Sequence, residues 1–526
     1  MPFTLIQAGN QLRSVNTDGG LSSVLTLPSG VTLRTNLTPR FARFKRYIAV
    51  VNTPSRPLLV GPTGIVYPMT PTAPGAAVAL SAGAAGSLSG TYLALQTYEI
   101  LDALGNVITS SDYGPSMTAA VTIAAKKLHA DFNVSPDSQV NNNHIFRTTT
   151  NGGTYFSWSS TNNNTSTSIE NDNSDASLGE IAAPARGPAP DLTLIAEFGG
   201  RLWGVDRDEI DSLRYTEAGT PYGWSLLNTL PIPHVGSDGA GITALIPRRA
   251  ALGVARRDVF SQVTGSQRSN FTPTVVNGGE QTGCVSQESA VVFNDVAYFL
   301  ARDGVYKWDS DGIKCISNGR VRSWFAKDAT FNRSMFWRAF AELDPVAMEY
   351  RLFLASRGSA VIDRWVAYNL LTDSWYGPHS TSVFSPTCAL HVAGRNQQPF
   401  FMVGSQEGFL SQDQEERNDW SIAGIALDVQ TNEFDKEPDL DKYYGELSVM
   451  GKAQAAGTLT VTPSVGESGS EVAQTPFDMP LTASRSRLGR IGVGKSMKLE
   501  FENDVINQDV ALFGFEVDPV SVVGKR

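Results

Sequence analysis

The stretch Val291-Val292-Phe293-Asn294-Asp295-Val296-Ala297-Tyr298-Phe299-Leu300-Ala301-Arg302-Asp303-Gly304-Val305-Tyr306-Lys307-Trp308-Asp309 decides how this chain folds. Short apolar runs follow one another, parted by Asn294-Asp295 and Arg302-Asp303-Gly304. Asn, Asp and Gly tolerate the positive φ of a tight turn, so this spacing predicts consecutive antiparallel hairpins. The same grammar returns at Phe198-Gly199-Gly200-Arg201-Leu202-Trp203, from Arg364 to Tyr376, and from Phe400 to Leu410. Loosely repeated short strands that end in an aromatic and a turn read as β-propeller blades. Because propellers carry many unrelated activities, function has to be argued from sites rather than from the fold.

Strand clusters fall near residues 40–68, 190–228, 240–268, 286–318, 334–378 and 386–414, which predicts about six blades. Residues 1–74 are expected to form an N-terminal arm and the first blade, and residues 188–414 the remaining blades. The Ala/Gly/Ser-rich segment from Pro74 to Gly90 reads as a flexible linker. Residues 86–182 then read as an inserted β-sandwich, opening with the alternating run Thr91 to Ile100. Ser159 to Asp175 is almost wholly Ser, Thr, Asn and Asp, so a long exposed loop is expected there. Residues 420–526 alternate as half-buried strands at Ala426–Val429, Tyr444–Met450, Leu459–Val461 and Met497–Phe501. They predict a second β-sandwich or a platform sheet.

Bulk properties narrow the classes. A chain of 526 residues is too long for one ordinary core. With 48 glycines, 28 prolines and 18% charged residues it has the composition of a turn-rich all-β protein. The net charge of −10 argues against a protein that coats duplex nucleic acid, which needs clustered cations to replace counterions. Cys284, Cys315 and Cys388 are odd in number and widely spaced, so free thiols are expected rather than disulfides or a zinc site. Met1 to Ser14 lacks the pattern of a secretory leader, and no run approaches the roughly 20 apolar residues of a membrane span. A soluble protein made in a cytoplasm is expected.

A search for chemistry yields little. His129, His144, His234, His379 and His391 are scattered, and no Gly-x-Ser-x-Gly, His-Glu-x-x-His or phosphate-binding loop occurs. Asp206 to Asp211 and Asp435 to Asp441 are acidic, but they lack the glycine and closing glutamate of a calcium loop, so solvated turns are expected. Arg40-Phe41-Ala42-Arg43-Phe44-Lys45-Arg46 interleaves cations with aromatics, yet strand alternation divides them between two faces. Arg248-Arg249, Arg256-Arg257 and the run Arg485 to Arg490 admit a partner-facing role, since Arg engages carboxylates bidentately. Glycoside hydrolysis needs two carboxylates, and 52 acidic residues make such pairs uninformative in sequence. No catalytic, metal or cofactor-binding residue is assigned, no cofactor is expected, and the expectation is of a protein that is not an enzyme.

The chain resembles the tail nozzle proteins of short-tailed bacteriophages, also called tail tubular protein B. The likeness lies in the order of arm, blade, inserted sandwich and further blades. It also lies in Ile145-Phe146-Arg147-Thr148 followed by Gly152-Gly153, in Arg214 to Trp224 and in Asn294 to Ile316, while Arg487 to Arg490 and Ala511 to Val517 are similar to the ends of related tail hub and DNA-stabilisation proteins. It implies a structural virion component of the phage tail, six copies of which ring the DNA exit channel below a tail adaptor and gate it. The implied partners are copies of itself, that adaptor, tail fibres or a needle, and viral DNA passing without sequence-specific binding. The inserted sandwich would be fibronectin type III-like. Two rivals are a carbohydrate-binding or carbohydrate-active propeller, with Trp158, Trp203 and Trp375 as sugar-stacking candidates, and a fibre or baseplate adhesion protein.

Overall fold

Each tight turn read above joins strands that pair, and six antiparallel meanders follow one another along residues 40–412. The computed structural model describes residues 4–523 apart from 17–19, 183–185, 234–238, 320, 327–329, 382–383, 394–398, 407, 409, 413–417, 420–422, 425–426, 432, 435–439, 452, 455, 468 and 504–511. The first meander is Arg40–Phe44, Tyr47–Val51, Leu58–Val60 and Val66–Pro68. The second is Leu192–Phe198, Arg201–Asp206, Ser212–Tyr215 and Thr229–Pro231, and the third Ala244–Pro247, Leu252–Ala255, Phe260–Thr264 and Thr272–Val275. The fourth is Val291–Phe293, Val296–Leu300, Val305–Asp309 and Gly312–Cys315. The fifth is Phe340–Asp344, Glu349–Leu354, Arg364–Asn369 and Ser374–Ser380; the sixth has three strands, Pro386–Ala393, Pro399–Ser405 and Leu410–Gln412. In the fourth, Asn294 (φ 48°) and Asp295 (φ 63°) form the left-handed pair of a two-residue hairpin that sets Phe293 opposite Val296.

The first strands of successive meanders touch in chain order. Between each neighbouring pair lies an apolar core. Trp224 and Leu59 fill the first junction, and Trp203 and Leu252 the second. Phe260, Phe299 and Trp308 fill the third, Leu300 and Leu352 the fourth, and Phe340, Phe353 and Phe401 the fifth. Each large apolar side chain buried there stabilises by about 1.5–3 kcal/mol. The N-terminal hairpin, Thr4–Ala8 with Gln11–Val15, then packs on both ends of the series. Leu5 and Leu12 join the core of the first meander, while Ile6 and Val15 meet Val392 and Met402 of the sixth. The all-β, propeller-like class is borne out.

Between the first and second meanders stand two facing sheets. One has the order Ser168–Asn171, Val121–Asp131, Ala79–Tyr92; the other Tyr155–Ser160, Asn142–Thr148, Ala94–Leu101, Val107–Ser110. Tyr92, Ile123, Leu128, Ile145 and Trp158 fill the space between them. Two expectations are corrected here. The Pro74–Gly90 segment is no linker, because from Ala79 onward it is a strand paired with Val121–Asp131. The polar Ser159–Asp175 segment is no simple loop, because Ser168–Asn171 pairs with Leu128 to Asp131 and Ile169 packs on the core.

The two errors share one cause. The pairing of Ala79–Tyr92 is irregular around Lys126, which leaves backbone N–H groups without ladder partners. Carboxylates from the polar segment supply them: Glu170 accepts from Ala84 N–H at 3.2 Å and Asp172 from Ser87 N–H at 2.8 Å. Gly86 is required for this approach, since a Cβ there would lie 2.7 Å from the Lys127 nitrogen. Small residues in one segment and acids in the other make a single hydrogen-bonded structure.

The chain divides into two compact units, Met1–Asp413 and Gln414–Arg526. In the second, a five-stranded sheet orders Leu427–Gln430, Ser496–Asn503, Thr458–Glu467 and Ser470–Ala473, with Phe477–Pro480 also on Thr458–Glu467. Leu447, Val449, Leu459, Val461 and Phe501 separate it from a sheet of Arg485–Gly494, Lys442–Gly451 and Leu512–Val522. Within this unit the two sheets face each other as a sandwich. Among the described residues no helix is long and apolar enough to cross a membrane.

Candidate functional site

Turns from three successive meanders converge on one cleft. Arg257 lies between Leu252–Ala255 and Phe260–Thr264, Arg302 between Val296–Leu300 and Val305–Asp309, and Arg333 to Trp337 just ahead of Phe340–Asp344. They line a space of about 470 Å³ with Val285, Ser334 and Phe336. The first wall is held by a close approach at Gly283, where a Cβ would lie 2.0 Å from the Arg256 carbonyl oxygen; Cys284 N–H donates to that oxygen at 2.9 Å. The second wall is the reverse turn in which Ala301 N–H reaches the Gly304 carbonyl at 2.8 Å.

The third wall is the 3-10 turn Arg333–Arg338, whose N-cap Asn332 accepts from Ser334 N–H at 3.2 Å and from the Ser334 hydroxyl at 2.6 Å. With three residues per turn, burying Phe336 in the core turns its neighbour Trp337 outward. That indole is 64% exposed. Arg333 donates to the Arg302 carbonyl at 2.5 Å, tying the two walls together, and Arg338 lies 5.8 Å from the Trp337 ring centroid. Among the described residues the cleft lining holds three guanidinium groups and an exposed aromatic face.

A second cleft, of about 540 Å³, is bordered by the first strands of the first three meanders and by Gln287. Arg40, at the start of the first meander, pairs with Glu288, just ahead of the fourth. Burial lowers the Arg40 guanidinium to about 10. Gln287 is clipped to Leu245 of the third meander through both its amide groups, at 2.7 and 3.2 Å. An ion pair thus joins the start of the first meander to the segment just ahead of the fourth. Among the described residues this cleft is lined by one carboxylate, Glu197, and by Arg43, Arg248 and Arg249.

The residues weighed in the sequence are dispersed. His129 meets Asp131 at 3.2 Å, and His144 lies between Glu99 at 3.0 Å and Ser157 at 2.7 Å. His379 stacks on Trp365 with its pKa lowered by burial, His391 meets Glu342 at 3.1 Å, and His234 lies outside the described residues. Cys284 is buried, Cys315 and Cys388 half-buried. Among the described residues no three His, Cys, Asp or Glu side chains gather as a metal-ligand set. In the first acidic run Asp211 is bound by Arg256 at 2.5 Å; most of the second, residues 435–439, lies outside the described residues.

Among the basic groups, Arg485 and Arg487 pair with Glu516 and Glu446, and Arg248 stacks 4.5 Å from the Trp308 centroid. Arg256 is buried while its neighbour Arg257 reaches the cleft, so one dipeptide splits between core and surface. The three sugar-stacking candidates are corrected: Trp158 and Trp203 are buried, and Trp375 packs on the fourth–fifth core with its indole N–H on the Ile316 carbonyl at 3.1 Å. Among the described residues the exposed indole is Trp337, which no periodicity singled out. Its signal in the sequence is the capping Asn332 followed by Phe336-Trp337, two aromatics that a single short turn cannot bury together.

No family model matches the chain, and no curated protein matches it. Similar solved structures include BBS1N in complex with ARL6DN (9% identity, 64% of this chain and 94% of that one, TM-score 0.27). A second is PorZ, a surface component of the type-IX secretion system of Porphyromonas gingivalis (10% identity, 78% and 58%, TM-score 0.29). A third is an exo-β-1,3-galactanase from Phanerochaete chrysosporium (8% identity, 82% and 100%, TM-score 0.18). The expectation that the chain is not an enzyme does not stand: it rested on a motif search alone, and glycoside hydrolases are among the similar structures. The physical reason is that paired carboxylates leave no sequence signature, so a motif search had no power to exclude them. TM-scores this low carry no argument about which activity, if any, this chain has.

Proposed function

We propose that this chain is an assembly subunit built like the tail nozzle proteins of short-tailed bacteriophages: a six-blade propeller carrying an inserted two-sheet module and a terminal sandwich. Six copies would form a ring below a tail adaptor in the virion, with fibres or a needle as further partners. The observation that carries this reading is the order of modules: one meander, then the inserted sheets, then five meanders, then a separate unit. The Arg40–Glu288 pair adds a constraint, because in a propeller whose blades are the six meanders it would span the central channel of one copy. DNA would have to pass between copies, not through one, and rings of that kind reuse a single head-to-tail interface. Mass photometry of the full chain, alone and with the adaptor, tests it. A six-copy ring supports the reading; a monomer that stays a monomer with the adaptor, and is missing from virion images, overturns it.

A second reading is favoured by one observation, the exposed Trp337 in an arginine-lined cleft: a propeller that binds carbohydrate. Indole faces take the apolar side of a pyranose while neighbouring polar groups fix its orientation. Glycan-array binding lost in Trp337→Ala supports it, and an array without hits removes it.

A further inference from the structure

We propose that Glu99, His144 and Ser157 of the inserted sandwich form a Ser-His-Glu triad that hydrolyses carboxylic esters. They come from the neighbouring strands Ala94–Leu101, Asn142–Thr148 and Tyr155–Ser160, and none of them lines either cleft. A bulge sets them on one face. Ile145 lies opposite Ser159 but Phe146 opposite Ser157, so Trp158 is one residue too many on its strand. Ile145 and Trp158 enter the core, and Ser157 turns to the opposite face with His144.

His144 Nδ1 lies 3.0 Å from Glu99 Oε1, and Nε2 lies 2.7 Å from the Ser157 hydroxyl. Asn142 donates to the other Glu99 oxygen at 2.8 Å. Burial alone would raise the Glu99 carboxyl, but hydrogen bonds from His144 and Asn142 and the charge of Arg186 hold its pKa below the ordinary value. An ionised carboxylate only accepts, which puts the imidazole proton on Nδ1 and leaves Nε2 to accept from Ser157. The orienting carboxylate is buried, whereas the His144 side chain is 21% exposed and Ser157 is half-buried, so the reacting pair meets solvent. Gly179 keeps the hydroxyl uncrowded, since a Cβ there would lie 3.3 Å from Ser157 Oγ. Arg186, 5.9 Å from the ring centroid of Phe146, brings positive charge to the face on which the carbonyl oxygen becomes negative. In the reaction, Ser157 Oγ attacks the ester carbonyl and passes its proton to His144 Nε2, which hands it to the departing alkoxide. Water then gives a proton to His144 and attacks the acyl-serine; the Ser157 oxygen leaves and recovers that proton, freeing the carboxylic acid.

The activity needs neither ring assembly nor glycan binding, so its test stands apart from theirs. The full chain is treated with a fluorophosphonate, which traps an activated serine, and the adduct is mapped by mass spectrometry. The expected adduct is on Ser157, formed more slowly in acid as protonation of the imidazole removes the acceptor for the hydroxyl proton. Turnover of p-nitrophenyl acetate should vanish in Ser157→Ala, and His144→Gln should slow labelling by about a hundredfold or more. As a positioning residue, Glu99 acts through His144, so Glu99→Gln should lower kcat by roughly tenfold or more at unchanged KM. Circular dichroism checks that each variant is folded; where one is not, the wild-type adduct still decides. A wild-type chain without an adduct at Ser157 overturns the triad, as does a folded His144→Gln that labels at the wild-type rate.

Discussion

Arg147, whose side chain is wholly buried, donates to Asp175 at 2.8 Å and so anchors the end of the polar segment to the core of the inserted sandwich. The same guanidinium donates to the Asn173 and Thr148 carbonyls at 2.6 and 2.8 Å and lies 5.2 Å from the Tyr92 ring centroid. Asp175→Ala leaves a buried cation without its counter-charge. Chemical denaturation should show a loss of roughly 2–3 kcal/mol, while Arg147→Met/Asp175→Ala recovers part of it. An unchanged midpoint for the single variant would refute the anchor. The pH dependence has a definite sign. Burial alone would raise the Asp175 carboxyl, but hydrogen bonds from Arg147 and Thr150 outweigh it and hold the pKa below its ordinary value. The contribution is therefore complete above the unfolded-state pKa near ~3.9 and disappears as pH falls through the lower folded value.

Gly253 marks a contact between the second strand of the third meander and the next core. A Cβ there would lie 2.7 Å from Cζ3 of Trp308 and 2.9 Å from Cζ of Phe260. Gly253→Ala should cost about 1–3 kcal/mol through overpacking, read as a lower thermal midpoint. An unaltered midpoint would show that the aromatic pair yields freely.

The Asn294-Asp295 turn allows a paired test. Asn294→Gly keeps the left-handed conformation and should be near neutral, whereas Asn294→Val should lose about 1–2 kcal/mol. Equal stability of the two would mean that the turn is not under backbone constraint.

How much of this was legible beforehand follows from which forces leave a local trace. The Asn-Asp and Asp-Gly turns and the apolar alternation from Val291 to Asp309 act between neighbours in sequence, and the strands formed where that pattern lay. Ala79–Tyr92 and Ser168–Asn171 hide because their pairing depends on backbone groups and on Glu170 and Asp172, far along the chain. Composition describes side chains, and here the partners are main-chain N–H groups. The arginine-lined cleft was invisible for a similar reason: Arg257, Arg302 and Arg333 each sit in an unremarkable turn of a different meander, and only the stacking of meanders brings them together.

Cys284 gives a chemical prediction. Its thiol is fully buried, and burial pushes its pKa up to about 11, only partly offset by contacts with Ser286 and Ser289. The thiolate is the reactive form, so native protein at neutral pH should leave Cys284 unalkylated by iodoacetamide, with labelling appearing only in denaturant. Peptide mass spectrometry decides it; prompt labelling of native protein would mean that the core around Cys284 opens.

The hairpin of Thr4–Ala8 and Gln11–Val15 has a temporal consequence. It leaves the ribosome ahead of all six meanders, yet Val392 and Met402, against which Ile6 and Val15 pack, are synthesised nearly four hundred residues later. During translation one side of the hairpin waits without its partner, and contacts of such long sequence separation form slowly. The core of the last meander is therefore completed by residues made before any of the meanders, and clipping the chain just after Val15 would remove the apolar contacts that Ile6 and Val15 make with Val392 and Met402.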